Sequence, residues 1–164
     1  MKNIFFCCVL ALFVSVSAQQ SDKSPKTISL KQLNALLQQQ DDKLYVINFW
    51  ATWCKPCIDE MPDFLAVNEL YKDDPNFKMI FISLDHIKLL HTKVKTFVEK
   101  HKINAEVYLL DEKRNAYEWM PEFEASWNGA IPSTGFYKNG EKLLFKQFQM
   151  NRYELEDYID DFIQ

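Results

Sequence analysis

The chain has 164 residues, and 48% of them are hydrophobic, which is enough for one domain with a real core. Its formal net charge of −4 argues against nucleic acid or an anionic membrane surface as the main partner. No internal repeat or low-complexity domain appears in the sequence.

The first residues have the pattern of an export signal. Lys2 gives a positive start, residues 4–16 are apolar apart from Ser15, and residues 16–18 form a small-residue cleavage site. The apolar run is short for a membrane span, and an uncleaved signal that anchors the protein is the alternative. We therefore predict export to the periplasm.

Cleavage of this signal determines which cysteines remain. Cys7 and Cys8 would leave with it, so the mature chain would keep Cys54 and Cys57. We predict a signal peptide at 1–18, a flexible lead at 19–27 and one domain at 28–164.

Two elements precede the cysteine pair in the predicted domain. Ser29 and Gln32 have the spacing of a capping box, and the leucines that follow predict a helix. Residues 44–50 are rich in aromatic and β-branched types and predict a strand. Because this strand is almost continuously apolar, we expect it to be central and covered on both faces.

Cys54 and Cys57 lie where this strand gives way to a helix that extends to Tyr71. Unpaired N–H groups in the first helical turn favour an anion, so a thiolate at Cys54 would be stabilised there. Pro56 suits the first turn because its missing N–H has no intrahelical partner, and Lys55 adds a positive charge. The thiolate is the attacking species in thiol–disulfide exchange.

A C-x-x-C pair has other interpretations. It is half of a zinc site, but no second cysteine pair follows, and covalent haem attachment would need histidine where Ile58 stands. A purely structural disulfide is also possible, although so short a loop restrains the unfolded chain little. We favour a redox-active pair, with no metal and no cofactor.

Residues 48–62 read NFWATWCKPCIDEMP. This segment resembles the active-site signature of the thioredoxin superfamily, and more narrowly its exported bacterial branch typified by TlpA and ResA proteins. The resemblance covers nearly all of the mature chain: it is sharp at 48–62, fair at 127–140 and loose elsewhere. It implies an α/β thioredoxin fold at 28–164, a single domain with a central mixed β-sheet flanked by helices.

Two polar residues in this segment are candidates for tuning the pair. Asn48 occupies the place where thioredoxins carry a buried aspartate, and we interpret it as a hydrogen-bonding core residue. Glu60 follows Cys57 by three positions, so the two residues share a helix face. The resemblance implies that Glu60 is a proton acceptor or electrostatic modulator for Cys57; the alternative is a solvated glutamate favoured by the helix dipole.

The rest of the chain continues the alternation of strands and helices. Strands are predicted at 77–84 and 106–110 and a helix at 87–101, which gives a parallel βαβ core. The aromatic residues of 112–128 are either core or the floor of a partner-binding groove, and we favour core. A hairpin with strands at 134–138 and 143–148 and a final helix from Asn151 complete the pattern.

Ile131 and Pro132 form the second half of the site that the resemblance implies. In the superfamily this proline is cis and faces the cysteines, and the backbone beside it pairs with an extended substrate segment. Ile131, Pro132 and Trp53 are therefore the candidate substrate-binding residues. A plain loop proline is the alternative.

We accordingly predict an exported thiol–disulfide oxidoreductase that reduces disulfides of extracytoplasmic client proteins. Cys54 is the nucleophile and Cys57 the resolving cysteine, and a membrane or exported thiol protein is the expected electron donor. The resemblance favours reductants such as those that prepare apocytochrome cysteines in cytochrome c maturation. The alternatives are a thiol oxidase or isomerase, and a disulfide-stapled binding module with little turnover.

Overall fold

The computed structural model describes residues 24–163. The predicted signal peptide lies outside these residues, and so do residues 19–23 of the predicted flexible lead. No helix within 24–163 combines the length and apolarity that a membrane crossing requires.

Six strands and five α-helices make up the described domain. In chain order they are β1 (Lys26–Ile28), α1 (Leu30–Leu37), β2 (Leu44–Trp50), α2 (Lys55–Tyr71), β3 (Phe77–Ser83), α3 (Lys95–Lys100), β4 (Glu106–Leu110), α4 (Ala116–Trp119), β5 (Ser133–Lys138), β6 (Glu141–Lys146) and α5 (Arg152–Ile163).

The strands form one mixed sheet in the order β1-β4-β3-β2-β5-β6. The pairs β1–β4, β4–β3 and β3–β2 are parallel, whereas β5 and β6 are added antiparallel. The predicted parallel βαβ core is therefore confirmed. All seven residues of β2 are buried, as its apolar composition predicted.

The start of the domain differs from the prediction. Lys26 and Thr27 were assigned to the flexible lead, but they belong to β1 and pair with Tyr108 and Leu109 of β4. This pairing satisfies backbone groups along a sheet edge. Because the strand has only three residues and two of them are exposed, its side chains carry no alternating apolar pattern.

Two later elements also differ in detail. The predicted helix at 87–101 is divided into a 3₁₀ turn at Ile87–Leu89, a π-helical turn at Leu90–Val94 and then α3. The second hairpin strand begins at Glu141 rather than at residue 143. Asn139 and Gly140 both have positive φ, which is the requirement of the tight hairpin turn that this dipeptide indicates.

Each face of the sheet has its own core. On one face, α2, α3 and α5 pack on alternate residues of β2 such as Val46 and Trp50. On the other face, α1 and the aromatic segment 117–127 pack on the intervening residues such as Ile47 and Phe49. This alternation places the end of β2, and the cysteine pair after it, between two packed layers.

Candidate active site

The cysteine pair lies at the junction of β2 and α2. After β2 the chain makes a turn, which is closed by a hydrogen bond from the Cys54 N–H to the Ala51 carbonyl (3.1 Å). Cys54 is the N-cap of α2, and its Sγ accepts the N–H of Cys57 at 3.3 Å. Pro56 lies in the first turn, as its missing N–H allows. The sequence thus places the sulfur of Cys54 at a helix N-terminus.

Cys54 and Cys57 form a disulfide with Cα atoms 5.3 Å apart. In this form both residues are largely covered, with 4% of Cys54 and 1% of Cys57 exposed. Trp53 beside them is 69% exposed, so an apolar side chain is presented at the mouth of the site. Lys55 forms an ion pair with Asp59, and this pair offsets the positive charge that the sequence places next to Cys54.

The Ile131–Pro132 peptide bond is cis. The carbonyl oxygen of Ile131 lies 3.6 Å from Sγ of Cys54, and Pro132 is buried. The loop before it is fixed by the Ala130 carbonyl, which accepts both the indole N–H of Trp127 and the hydroxyl of Ser133 at 2.8 Å. Two segments 77 residues apart in the chain therefore meet at the nucleophile candidate.

Glu60 lies behind the pair in a buried setting, with 2% of the residue exposed. Its carboxyl oxygens accept the Asn48 side-chain amide at 2.8 Å and the Met150 backbone N–H at 3.0 Å. Burial raises the pKa of Glu60 to about 7, although both hydrogen bonds act in the opposite direction. The burial excludes a solvated glutamate at this position, and the role of Glu60 as a proton acceptor or modulator stays a prediction.

Asn48 links three elements beneath the site. Its side-chain amide donates to Glu60 on α2 and, at 3.0 Å, to the hydroxyl of Thr134 on β5. Asn48 and Thr134 are both 1% exposed. The interpretation of Asn48 as a hydrogen-bonding core residue agrees with this geometry, and its partner is the candidate proton acceptor.

The aromatic segment is part of the core, which was the interpretation that we favoured. Trp119, Phe123 and Trp127 are buried, and the rings of Trp127 and Phe49 lie 4.8 Å apart. Tyr117 is the exception, with 74% of its surface exposed. The buried rings of the segment form part of the core, and Trp127 contacts the loop that leads to Ile131 through the Ala130 carbonyl.

Sequence reasoning missed one buried cluster beside the cysteines. Asp85, at the end of β3, accepts the backbone N–H of Thr52 at 2.8 Å and its hydroxyl at 2.6 Å. An acid two residues after the end of a parallel strand was the available signal, because ligands and functional groups gather at the carboxyl ends of such strands. Residues 24–163 contain no group of three or more His, Cys, Asp or Glu side chains placed to hold a metal ion.

Comparison with known proteins agrees with the geometry. A model of the AhpC/TSA family matches residues 13–143. The thioredoxin-like protein YneN of Bacillus subtilis is 30% identical over 120 residues, which cover 60% of this chain and 69% of YneN. The thiol-disulfide oxidoreductase ResA of Oceanobacillus iheyensis is 29% identical over 131 residues, which cover 79% of this chain and 62% of ResA.

A solved structure shows the same architecture. The thiol:disulfide interchange protein of Chlorobium tepidum, a thioredoxin family protein, superposes with a TM-score of 0.61 at 21% identity. The superposition covers 80% of this chain and 85% of that one. The predicted thioredoxin fold, with a mixed sheet flanked by helices, is thereby confirmed. The chain spans about three fifths of the ResA protein that it matches.

Proposed function

The chain belongs to the AhpC/TSA family of thioredoxin-like proteins, and on that premise we propose that it is an exported thiol–disulfide oxidoreductase. Its proposed task is to reduce disulfides of extracytoplasmic proteins with the dithiol of Cys54 and Cys57. A relative over most of this chain, ResA of Oceanobacillus iheyensis, is named a thiol-disulfide oxidoreductase. The signal pattern of residues 1–18 supports export.

One observation carries the proposal. Sγ of Cys54 accepts a helix N-terminal N–H at 3.3 Å and lies 3.6 Å from the Ile131 carbonyl. The helix N-terminus stabilises a thiolate at Cys54, while Cys57 is already within bonding reach in the disulfide. A purely structural disulfide would need neither the helix N-terminus nor the adjacent Ile131 carbonyl group.

The reaction proceeds in two exchanges. The thiolate of Cys54 attacks one sulfur of a client disulfide, which forms a mixed disulfide and releases the other client sulfur as a thiolate. The thiolate of Cys57 then attacks Sγ of Cys54 and releases the second client sulfur. Two electrons have passed to the client, and the Cys54–Cys57 disulfide seen in the structure is the oxidised product.

Glu60 is the proposed proton acceptor for the second exchange. It lies one helical turn from Cys57, and its pKa of about 7 allows it to take a proton at neutral pH. Once it is charged, Glu60 is stabilised by the N–H donors of Asn48 and Met150.

The proposed client contacts surround the Cys54 sulfur. An extended client segment would pair with the backbone at Ile131, next to Pro132, and the exposed ring of Trp53 would cover its apolar side chains. Disulfide-bonded proteins, among them apocytochromes in cytochrome c maturation, are the proposed clients. A membrane or exported thiol protein would return the Cys54–Cys57 pair to the dithiol.

Insulin reduction by the purified mature chain tests the activity. We expect turnover with an added thiol donor for the wild type and none for Cys54→Ser. Cys57→Ser should accumulate a mixed disulfide with insulin through Cys54, which mass spectrometry of the non-reduced product detects. Turnover that survives in Cys54→Ser, or its absence in the wild type, would refute the assignment.

The reduction potential tests the direction. Equilibration against glutathione and dithiothreitol buffers should place the pair near the negative end of the range for this chemistry, about −270 mV rather than about −120 mV. A potential near the less negative limit would instead support the oxidase or isomerase.

A further inference from the structure

The loop that carries Cys54 is attached to the end of β3 at two points. The backbone N–H of Leu84 donates to the Trp50 carbonyl at 2.8 Å, which extends the β2–β3 pairing by one bond. The next residue of that segment, Asp85, reaches Thr52 with its side chain. Thr52 is two residues before Cys54, so the attachment is close to the nucleophile candidate.

Asp85 holds Thr52 through both carboxyl oxygens. Oδ2 accepts the Thr52 N–H at 2.8 Å, and Oδ1 accepts the Thr52 hydroxyl at 2.6 Å. Ser83 completes the cluster: its hydroxyl donates to Oδ2 at 2.8 Å and accepts the Asp85 N–H at 3.1 Å. Asp85 is 3% exposed, and no basic side chain within 24–163 forms an ion pair with it.

These hydrogen bonds restrict the movement of the loop that carries Cys54. A two-point bond to one residue sets both the position and the orientation of its peptide group. A buried carboxyl group without a cation is costly unless hydrogen bonds satisfy it, so the cluster resists rearrangement. The orientation passes along residues 52–54 to the sulfur, which must meet the Cys57 N–H and the Ile131 carbonyl together.

We propose that Asp85, through its two bonds to Thr52, is a positioning residue that holds the Cys54 sulfur against the N-terminus of α2. This inference rests on the proposed function. Asp85 acts through Thr52 and does not itself exchange electrons or protons with the client. Loosening the cluster lets the loop move, weakens the N–H contact to sulfur and makes the Cys54 thiolate less stable.

Substitution of Thr52 tests the inference without changing any charge. Thr52→Val has nearly the same shape and keeps the backbone N–H, but it removes the hydroxyl bond to Asp85. Thr52→Ser keeps that hydroxyl and is the matched control. Both are made with Cys57→Ser, which leaves Cys54 as the single thiol of the mature chain.

The measurement is the rate of iodoacetamide alkylation of Cys54 as a function of pH. We expect Thr52→Val to shift the midpoint upward and slow alkylation at neutral pH about three- to tenfold, with Thr52→Ser close to the parent. A purely structural role would lower the melting temperature in Thr52→Val and leave the midpoint unmoved. That outcome, or an equal shift in Thr52→Ser, would overturn the inference.

Asp85→Asn provides the opposing test. If Asp85 acts on Cys54 mainly through its negative charge, the amide should lower the midpoint, because an anion disfavours a nearby thiolate. Positioning predicts a raised midpoint instead, since an amide loses one of the two acceptors that hold Thr52.

Insulin reduction by the wild type distinguishes a failure of the proposed function from a failure of the positioning role. An inactive wild type refutes the proposed function. An active wild type, combined with an unchanged alkylation midpoint in Thr52→Val, refutes the positioning role alone.

Discussion

Among single residues, Glu60 and Cys57 differ in the pH at which each loses its proton. Glu60 is a carboxyl group among buried side chains, and its raised pKa of about 7 lies below the ordinary thiol value of about 8.5. A group with this pKa is divided about equally between its charged and protonated forms at pH 7, so it can accept a proton and release it again. The two donors from Asn48 and Met150 keep the charged form from being prohibitively unstable.

Substitution of Glu60 by glutamine should therefore change the pH dependence of ring closure. In the wild type, formation of the Cys54–Cys57 disulfide from a mixed disulfide should rise with pH through an inflection near pH 7. In Glu60→Gln the inflection should move toward the ordinary thiol value of about 8.5, and closure at neutral pH should slow about tenfold or more. Quenched-flow mass spectrometry of the glutathione mixed disulfide measures the rate.

The matched control is Asp59→Asn, an exposed acid one position before Glu60 on α2. Its loss frees Lys55 from an ion pair but leaves the buried carboxyl group in place. We expect its closure profile to keep the wild-type inflection. Identical profiles for wild type and Glu60→Gln would remove Glu60 from the mechanism.

At the scale of elements, the aromatic segment around α4 supports the substrate side of the site. Trp127 packs on Phe49 of β2 and on Phe145 of β6, and its indole N–H holds the Ala130 carbonyl at 2.8 Å. One side chain thus connects the sheet to the loop that ends in the cis peptide bond at Pro132.

This arrangement predicts a graded loss of stability. Trp127→Ala should lower the free energy of unfolding by about 3–5 kcal/mol, because a large buried side chain is removed. Trp127→Phe keeps a ring but loses the hydrogen bond and part of the buried indole, so it should cost less than the alanine change, about 1–3 kcal/mol. Tyr117→Ala, at an exposed position in the same segment, should stay within about 0.5 kcal/mol of the wild type. Urea unfolding measures all three, and equal losses at Trp127 and Tyr117 would contradict the core assignment.

The same elements show what the sequence could and could not predict. β2 and the cysteine junction were predictable, because apolar composition and helix-start chemistry are local properties of consecutive residues. β1 was not, since a three-residue edge strand is defined by its pairing with β4 about 80 residues later. The Asp85–Thr52 bonds join positions 33 residues apart, and only the folded β2–β3 pair brings them together.

The burial of Glu60 also depends on distant parts of the chain and could not be predicted from the sequence. Its spacing from Cys57 was visible in the sequence, and the shared helix face followed from that spacing. Its environment was not, because Met150 reaches it from the segment before α5, 90 residues away. Whether a helical carboxyl group is solvated or buried depends on such distant neighbours.

At the scale of the whole molecule, Glu60 couples the site to global stability. Its carboxyl oxygens join α2 to β2 through Asn48 and to the segment before α5 through Met150. These contacts lie within the core on the α2 side of the sheet. A change in the charge of this group should therefore change the stability of the folded domain, not only the reactivity of the cysteines.

The sign follows from the direction of the pKa shift. The folded protein raises the pKa of Glu60 from 4.5 to about 7, so the fold favours the protonated form. Its stabilising contribution is fully present below pH 4.5 and is lost as pH rises through about 7. The shift corresponds to about 3 kcal/mol between those limits. The lowered pKa values of Glu112 and Glu124, both about 2, affect stability at lower pH, outside this window.

Urea unfolding of the oxidised protein between about pH 4 and pH 8 measures this contribution, because the disulfide-bonded cysteines do not titrate. Wild-type stability should fall across the window by up to about 3 kcal/mol more than that of Glu60→Gln, whose side chain cannot ionise. Glutamine has one acceptor oxygen for the Asn48 and Met150 donors, so the variant should be the less stable protein at the acidic end. Parallel stability profiles for the wild type and Glu60→Gln would show that folding does not raise the pKa of Glu60. Its assignment as a base that titrates near neutral pH would then fail as well.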